Sequence, residues 1–124
     1  MDRKVLIIDD DELVLHVISD LCQTLGLSTH VLRDCSSVLK TARDYRPDLI
    51  TLDLSMPQFS GEEVLEFLKN DPELCQIPIV VISSLADDRS VIKGLKGVEA
   101  FLVKPIRLAQ LKKTIEEIFS PAAV

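Results

Sequence analysis

An α/β fold, a five-stranded parallel sheet doubly wound with helices, is predicted by this sequence on three observations. Short apolar runs alternate with amphipathic stretches along the chain. The runs are continuously apolar where a half-exposed strand would alternate, as expected of strands covered on both faces. Each run from the first, third, fourth and fifth strands ends in residues that carry chemistry, and in such a sheet those ends share one edge.

The elements follow in order. Residues 4–8, "KVLII", form the first strand and stop at Asp9, Asp10 and Asp11. Val14, Ile18, Leu21 and Leu25 then fall at helical spacing, with Gly26 as the residue past the helix end. "STHVL" (28–32) alternates weakly and is the second strand. Val38, Leu39, Ala42 and Tyr45 give a short helix capped by Ser36 or Ser37 and stopped by Pro47. "DLITLDL" (48–54) is the third strand. Gly61 opens a helix carried by Val64, Leu65 and Leu68, which "NDP" (70–72) closes. "IVVI" (79–82) is the fourth strand. Val91, Ile92 and Leu95 mark a helix weakened by Gly94 and Gly97. "AFLV" (100–103) is the fifth strand, and Leu108, Leu111, Ile115, Ile118 and Phe119 make an amphipathic last helix. The tail "SPAAV" is expected to fray.

Bulk composition narrows the function. At 124 residues the chain fits one domain, and 47% apolar with 27% charged residues suits a packed core. A net charge of −6 argues against a nucleic-acid surface on this chain. "MDRKVLII" is no signal peptide, and no apolar run approaches the roughly 20 residues of a membrane span. A soluble, cytoplasmic protein is the expectation. Cys22, Cys35 and Cys75 are odd in number and lack CxxC spacing, so reduced, partly buried thiols are expected, with no disulfide or zinc site. His16 and His30 stand alone and read as surface and strand residues.

The strand ends gather Asp9, Asp10, Asp11, Asp53, Ser83, Ser84 and Lys104 on one edge. Clustered carboxylates either rise in pKa or hold a cation, and a hard divalent cation such as Mg²⁺ prefers oxygen ligands. A lysine, a hydroxyl and Mg²⁺ together can clamp phosphoryl oxygens. Asp53 is the candidate nucleophile, because its strand lies between the other contributors. Each residue also has an ordinary structural reading. Acids after a strand cap helices and suit the helix dipole, Asp53 precedes a Met-Pro turn, Ser83, Ser84, Asp87 or Asp88 can cap, and Lys104 precedes a proline. Four such coincidences at four strand ends are less economical than one site.

With these residues placed, the chain resembles the receiver domains of two-component response regulators, the CheY-like family. "LIIDD" resembles that family's acidic pair, and "LDLSMPQFSG" its phospho-acceptor loop. "VVISS" resembles the strand carrying the switch hydroxyl, and "AFLVKPI" the aromatic and Lys-Pro segment. The likeness covers about residues 3–120 and implies a single receiver domain over 1–124. It implies a flavodoxin-like (βα)5 sheet of strand order 2-1-3-4-5. It also implies that Asp53 accepts a phosphoryl group from a phosphohistidine on a sensor histidine kinase or histidine phosphotransfer protein. Asp10, Asp53 and the Ser55 backbone carbonyl would ligate Mg²⁺, with Asp9 acting through a metal-bound water. Ser83 and Lys104 would bind phosphoryl oxygens, Phe101 would be the switch aromatic, and Lys104–Pro105 would be cis. The fourth helix, fifth strand and fifth helix would form the output face toward an effector, a face that also suits homodimerisation. Such a domain acts on itself and is no general enzyme. Ser83 stands where the family usually has Thr, Ser84 where it has a small apolar residue, and Phe101 where it often has Tyr. The loop "SMPQFSG" lacks the Met and Asp common near its end.

Two rivals share parts of the pattern. In a haloacid-dehalogenase-like phosphatase Asp9 would be the nucleophile of a DxD, but Leu13 stands where that family has Thr or Val. A flavodoxin needs a Ser/Thr/Gly-rich phosphate loop where this chain is acidic. A receiver reduced to a docking module would lack required residues, and here all are present.

Overall fold

Five strands pair in the order β2-β1-β3-β4-β5, every neighbour parallel. The computed structural model describes residues 3–54, 56, 61–84 and 97–120. The strands are β1 (Lys4–Ile8), β2 (Ser28–Leu32), β3 (Leu49–Leu52), β4 (Ile79–Ser83) and β5 (Val98–Val103). Four helices are described: α1 (Glu12–Thr24), α2 (Val38–Tyr45), α3 (Gly61–Asn70) and the C-terminal α4 (Leu108–Phe119). The helix expected around Val91, Ile92 and Leu95, the caps expected at Asp87 or Asp88, and residues 121–124 of the tail lie outside the described residues.

Successive strand residues point to opposite faces, and the core divides accordingly. Leu6, Ile8, Ile50, Leu52, Ile79 and Val81 pack with Val38 and Ala42 of α2 and Val64, Leu65 and Leu68 of α3. Val5, Ile7, Leu49, Val80, Ile82 and Leu102 pack on the other face with Leu15, Ile18 and Cys22 of α1 and Leu111 and Ile115 of α4. Every residue of β3 and β4 is buried, so both strands read as unbroken apolar runs. The β4–β5 register shifts between Ile79 and Val80, which pair with Val98 and Ala100 and skip Glu99. That bulge puts Val98 and Phe101, three residues apart, against the same core.

Several local expectations are refined. The α1 stripe buries Leu15, Ile18 and Cys22 most deeply, with Val14, Leu21 and Leu25 flanking it. Leu108 begins α4 but is 48% exposed, while Leu111 and Ile115 of the same helix are buried in the core. β3 runs Leu49–Leu52, shorter than 48–54 at both ends, and β5 starts two residues earlier than expected. Ser37 occupies the α2 N-cap without a side-chain cap bond; the Ser36 hydroxyl instead donates to Asp34 Oδ1 at 2.5 Å. Gly26 follows α1 with φ +81, a backbone state that favours glycine. All three cysteines are free, Cys22 buried and the others half-buried.

Thr51 is buried at 1% exposure between Ile7 of β1 and Val80 of β4, and among the described residues its hydroxyl has no hydrogen-bond partner. A buried hydroxyl without a partner costs about 1–3 kcal/mol. Thr51→Val keeps the shape and removes that cost, so urea unfolding is expected to show a gain of about 1 kcal/mol. A loss of that size would show that the hydroxyl is satisfied.

Candidate functional site: an acidic centre at the carboxyl edge of the sheet

Three of the site residues stand one position beyond a strand yet remain tied to the ladder. The Asp9 N–H donates to the Leu32 carbonyl at 3.1 Å, the Asp53 N–H to Ile8 at 3.0 Å, and the Lys104 N–H to Ser83 at 2.9 Å. Each backbone is thereby fixed by the neighbouring strand, while the side chain is released from the sheet into the space above its edge. Residues far apart in sequence converge for this reason alone.

Asp9 and Asp53 are buried, at 1% and 2% exposure. Lys104 Nζ lies 2.9 Å from Asp9 Oδ2 and 3.2 Å from Asp53 Oδ2, so one ammonium bridges both acids. The other Asp9 oxygen accepts the Asp11 N–H at 2.9 Å. Asp10 is exposed and completes a cluster in which Asp9, Asp10 and Asp53 each offer an oxygen within 4.8 Å of the others. Asp11 turns away and caps α1, its Oδ1 accepting from the N–H groups of Leu13 at 2.9 Å and Val14 at 3.4 Å.

The electrostatics follow from this packing. Burial pushes the Asp9 carboxyl up to about 6, with the Asp53 charge adding to the rise; the Asp11 N–H and Lys104 oppose it. Burial also acts to lower the Lys104 ammonium, but the hydrogen bonds and charges of Asp9 and Asp53 outweigh it, and its pKa is raised. Two like charges about 4 Å apart repel by roughly 4 kcal/mol at an effective dielectric of about 20. One ammonium faces three clustered carboxyl groups, which leaves the cluster with an acidic excess. A donor set of clustered oxygens with that residual charge fits a hard divalent cation.

Ser83 is fully buried at the end of β4 and pairs with Val103, while Phe101 pairs with Val81. The hydroxyl residue and the aromatic are therefore diagonal neighbours on adjoining strands. Phe101 is half-buried against the α2–α3 core, and Ser84 is exposed. The Lys104–Pro105 peptide is cis. Ser55 lies outside the described residues. The sequence places Lys104 on the same edge as the acids, as a ligand for phosphoryl oxygens, but does not reveal its direct pairing with Asp9. No sequence signal separates a lysine that faces a cluster from one that bridges it.

A doubly wound sheet that collects acids and a lysine beyond its strand ends is the arrangement that the resemblance to phospho-accepting regulators implies. Residues 5–116 match the profile of the response regulator receiver domain, and the chain belongs to that family, whose role is to accept a phosphoryl group in two-component signalling. The polar-differentiation response regulator DivK of Brucella anthropi is 35% identical, over 98% of this chain and 100% of its own length. Its counterpart in Brucella ovis is 34% identical over the same shares. Among solved structures, the chemotaxis response regulator CheY4 of Vibrio cholerae is 25% identical with a TM-score of 0.85, covering 95% of this chain and 99% of that one. The receiver domain of sensor histidine kinase PA1611 from Pseudomonas aeruginosa shares the fold at 21% identity and a TM-score of 0.82, over 94% and 97% of the two chains. It carries a magnesium ion coordinated in its active site cleft.

The Asp9 shift sets a pH dependence for the metal-free protein. The folded carboxyl, at about 6, binds its proton more tightly than an ordinary aspartate near 3.8. Its contribution is thus complete below about pH 4 and lost as pH rises through about 6. Asp9→Asn removes this loss. Urea unfolding of both proteins without metal is expected to show the variant gaining, relative to the native chain, on the order of 1–3 kcal/mol between about pH 4 and pH 7. A pH-independent difference contradicts the assigned burial cost.

Proposed function

We propose that Asp53 is the phospho-acceptor of this receiver and that Mg²⁺ is the cation held beside it. The observation that carries this reading is the placement of the Asp53 carboxylate, buried, bridged by Lys104 and within reach of Asp9 and Asp10. An Asp53 oxygen attacks the phosphorus of a phosphohistidine. The new O–P bond forms as the P–N bond breaks, and the electron pair leaves on the imidazole nitrogen, which takes up a proton. Lys104 then faces the phosphoryl oxygens, and the Ser83 hydroxyl donates to one of them.

Asp10 and Asp53 would ligate Mg²⁺ directly, with Asp9 acting through water and the Ser55 carbonyl adding a further oxygen. When bound, Mg²⁺ supplies compensation for the clustered carboxylates and for the charge of the incoming phosphoryl group. The magnesium in the cleft of the PA1611 receiver domain supports this choice. Drawing Ser83 toward the phosphoryl group would vacate space on the face it shares with Phe101, and inward movement of Phe101 would carry the signal to β5 and α4. The product stays on the chain, so the protein modifies itself and is not a turnover enzyme for other phosphate esters. Its partners are then a sensor histidine kinase or histidine phosphotransfer protein on the input side and an effector on the output side, with a cytoplasmic place of work. Among the described residues no helix is long and apolar enough to cross a membrane.

Incubation with Mg²⁺ and a small acyl-phosphate donor, followed by intact mass measurement, tests the reading. The native chain is expected to gain one phosphoryl group, and Asp53→Ala none. An adduct that survives in Asp53→Ala, or no adduct on the native chain, overturns the assignment.

A further inference from the structure

Gly61 is the first residue of α3 and is buried. Its φ lies outside the left-handed region, unlike those of Gly26 and Gly97, so conformational freedom does not explain a glycine there. Space does. A Cβ at this position would stand 2.4 Å from the Leu54 Cα, 2.7 Å from Leu54 Cδ2 and 3.1 Å from the Asp53 carbonyl oxygen. Carbon atoms pack at about 3.5–4.0 Å, so an added methyl would force the two segments apart by about 1 Å. The closest atom is main chain and cannot rotate aside. By contrast, a Cβ at Gly26 would meet nothing within 4 Å among the described residues.

The segment that Gly61 touches is the acceptor itself. On its other side Asp53 is held by its N–H bond to the Ile8 carbonyl at 3.0 Å, and the Leu54 side chain packs against the core shared with α3. The Asp53–Leu54 main chain is therefore clamped between β1 and the first turn of α3. We propose that Gly61 is a positioning residue for the acceptor: its missing side chain lets α3 rest directly on the Asp53–Leu54 main chain and keeps the carboxylate in register with Lys104, Asp9 and Asp10. The inference rests on Asp53 as acceptor. A misplacement of about 1 Å in a reacting group can slow a reaction about 100-fold.

The test compares labelling rates with a small acyl-phosphate donor at saturating Mg²⁺, each normalised to the folded fraction, in the native chain and three variants. Gly61→Ala is expected to label about 10- to 100-fold more slowly. Ile79→Val trims the same core far from the site and is expected to label at the native rate despite its lower melting temperature, which separates misplacement from plain destabilisation. Gly61→Ala with Leu54→Ala removes the side-chain part of the clash but leaves the added methyl pressed against the Leu54 main chain; it is expected to fold better than Gly61→Ala and to stay slow. Native-rate labelling by Gly61→Ala or by the double variant overturns the proposal. Failure of both to fold does so too, since the glycine would then serve the fold as a whole. Absence of labelling on the native chain overturns the acceptor assignment, and this inference with it, and so is distinguished from a failure confined to Gly61.

Discussion

One ammonium group sits between two buried carboxylates, and the rest of the site depends on it. Lys104 Nζ bridges Asp9 and Asp53 at 2.9 and 3.2 Å. Without a cation there, two buried acids side by side would not both stay ionised. With it, the site keeps an acidic surplus that suits a divalent cation, and the ammonium is placed to face a phosphoryl oxygen. Removing one partner of a buried ion pair is costly, whereas the intact pair adds little net stability. The bridge is therefore best understood as holding a functional charge pattern in place.

The sheet makes that pattern with little local help. Hydrogen bonds from Asp9, Asp53 and Lys104 to the adjoining strands fix three main chains in a row across β2, β1, β3, β4 and β5. Two apolar cores, one on each face, hold those strands in register. The acids after β1 then divide by environment. Asp9 is buried and tied to Lys104, Asp10 is exposed at the rim of the cluster, and Asp11 serves the helix. Three identical side chains in sequence thus have three different environments, set by where the strand ends and the helix begins.

The architecture was legible because its signals are local. Continuous apolar runs such as Ile79–Ile82 and the residues that follow each strand are visible in the chain, and the fold rule converts them into one edge. Asp53 and Lys104 were found in this way. What was not legible depends on distances across the fold. The pairing of Lys104 with Asp9, the close approach of Gly61 to Leu54 and the bulge at Glu99 that turns Phe101 onto the α2–α3 core have no sequence signature of their own. Ser37 illustrates the local limit: its type predicts a cap bond, but Asp34 draws the neighbouring Ser36 hydroxyl and the Ser37 side chain makes none. Leu108 matches the helical stripe by spacing yet lies at the helix start and is half-exposed.

The central claim is that Asp9, Asp10 and Asp53 form one cation-holding centre while Asp11 does not belong to it. The most direct measurement is a Mg²⁺ titration followed by NMR of the aspartate side-chain carboxyl carbons. The account predicts that Asp9, Asp10 and Asp53 shift together along one binding curve and that Asp11 stays near its metal-free position. Shifts confined to exposed acids such as Glu62 and Glu63, with Asp9 and Asp53 unmoved, would contradict it.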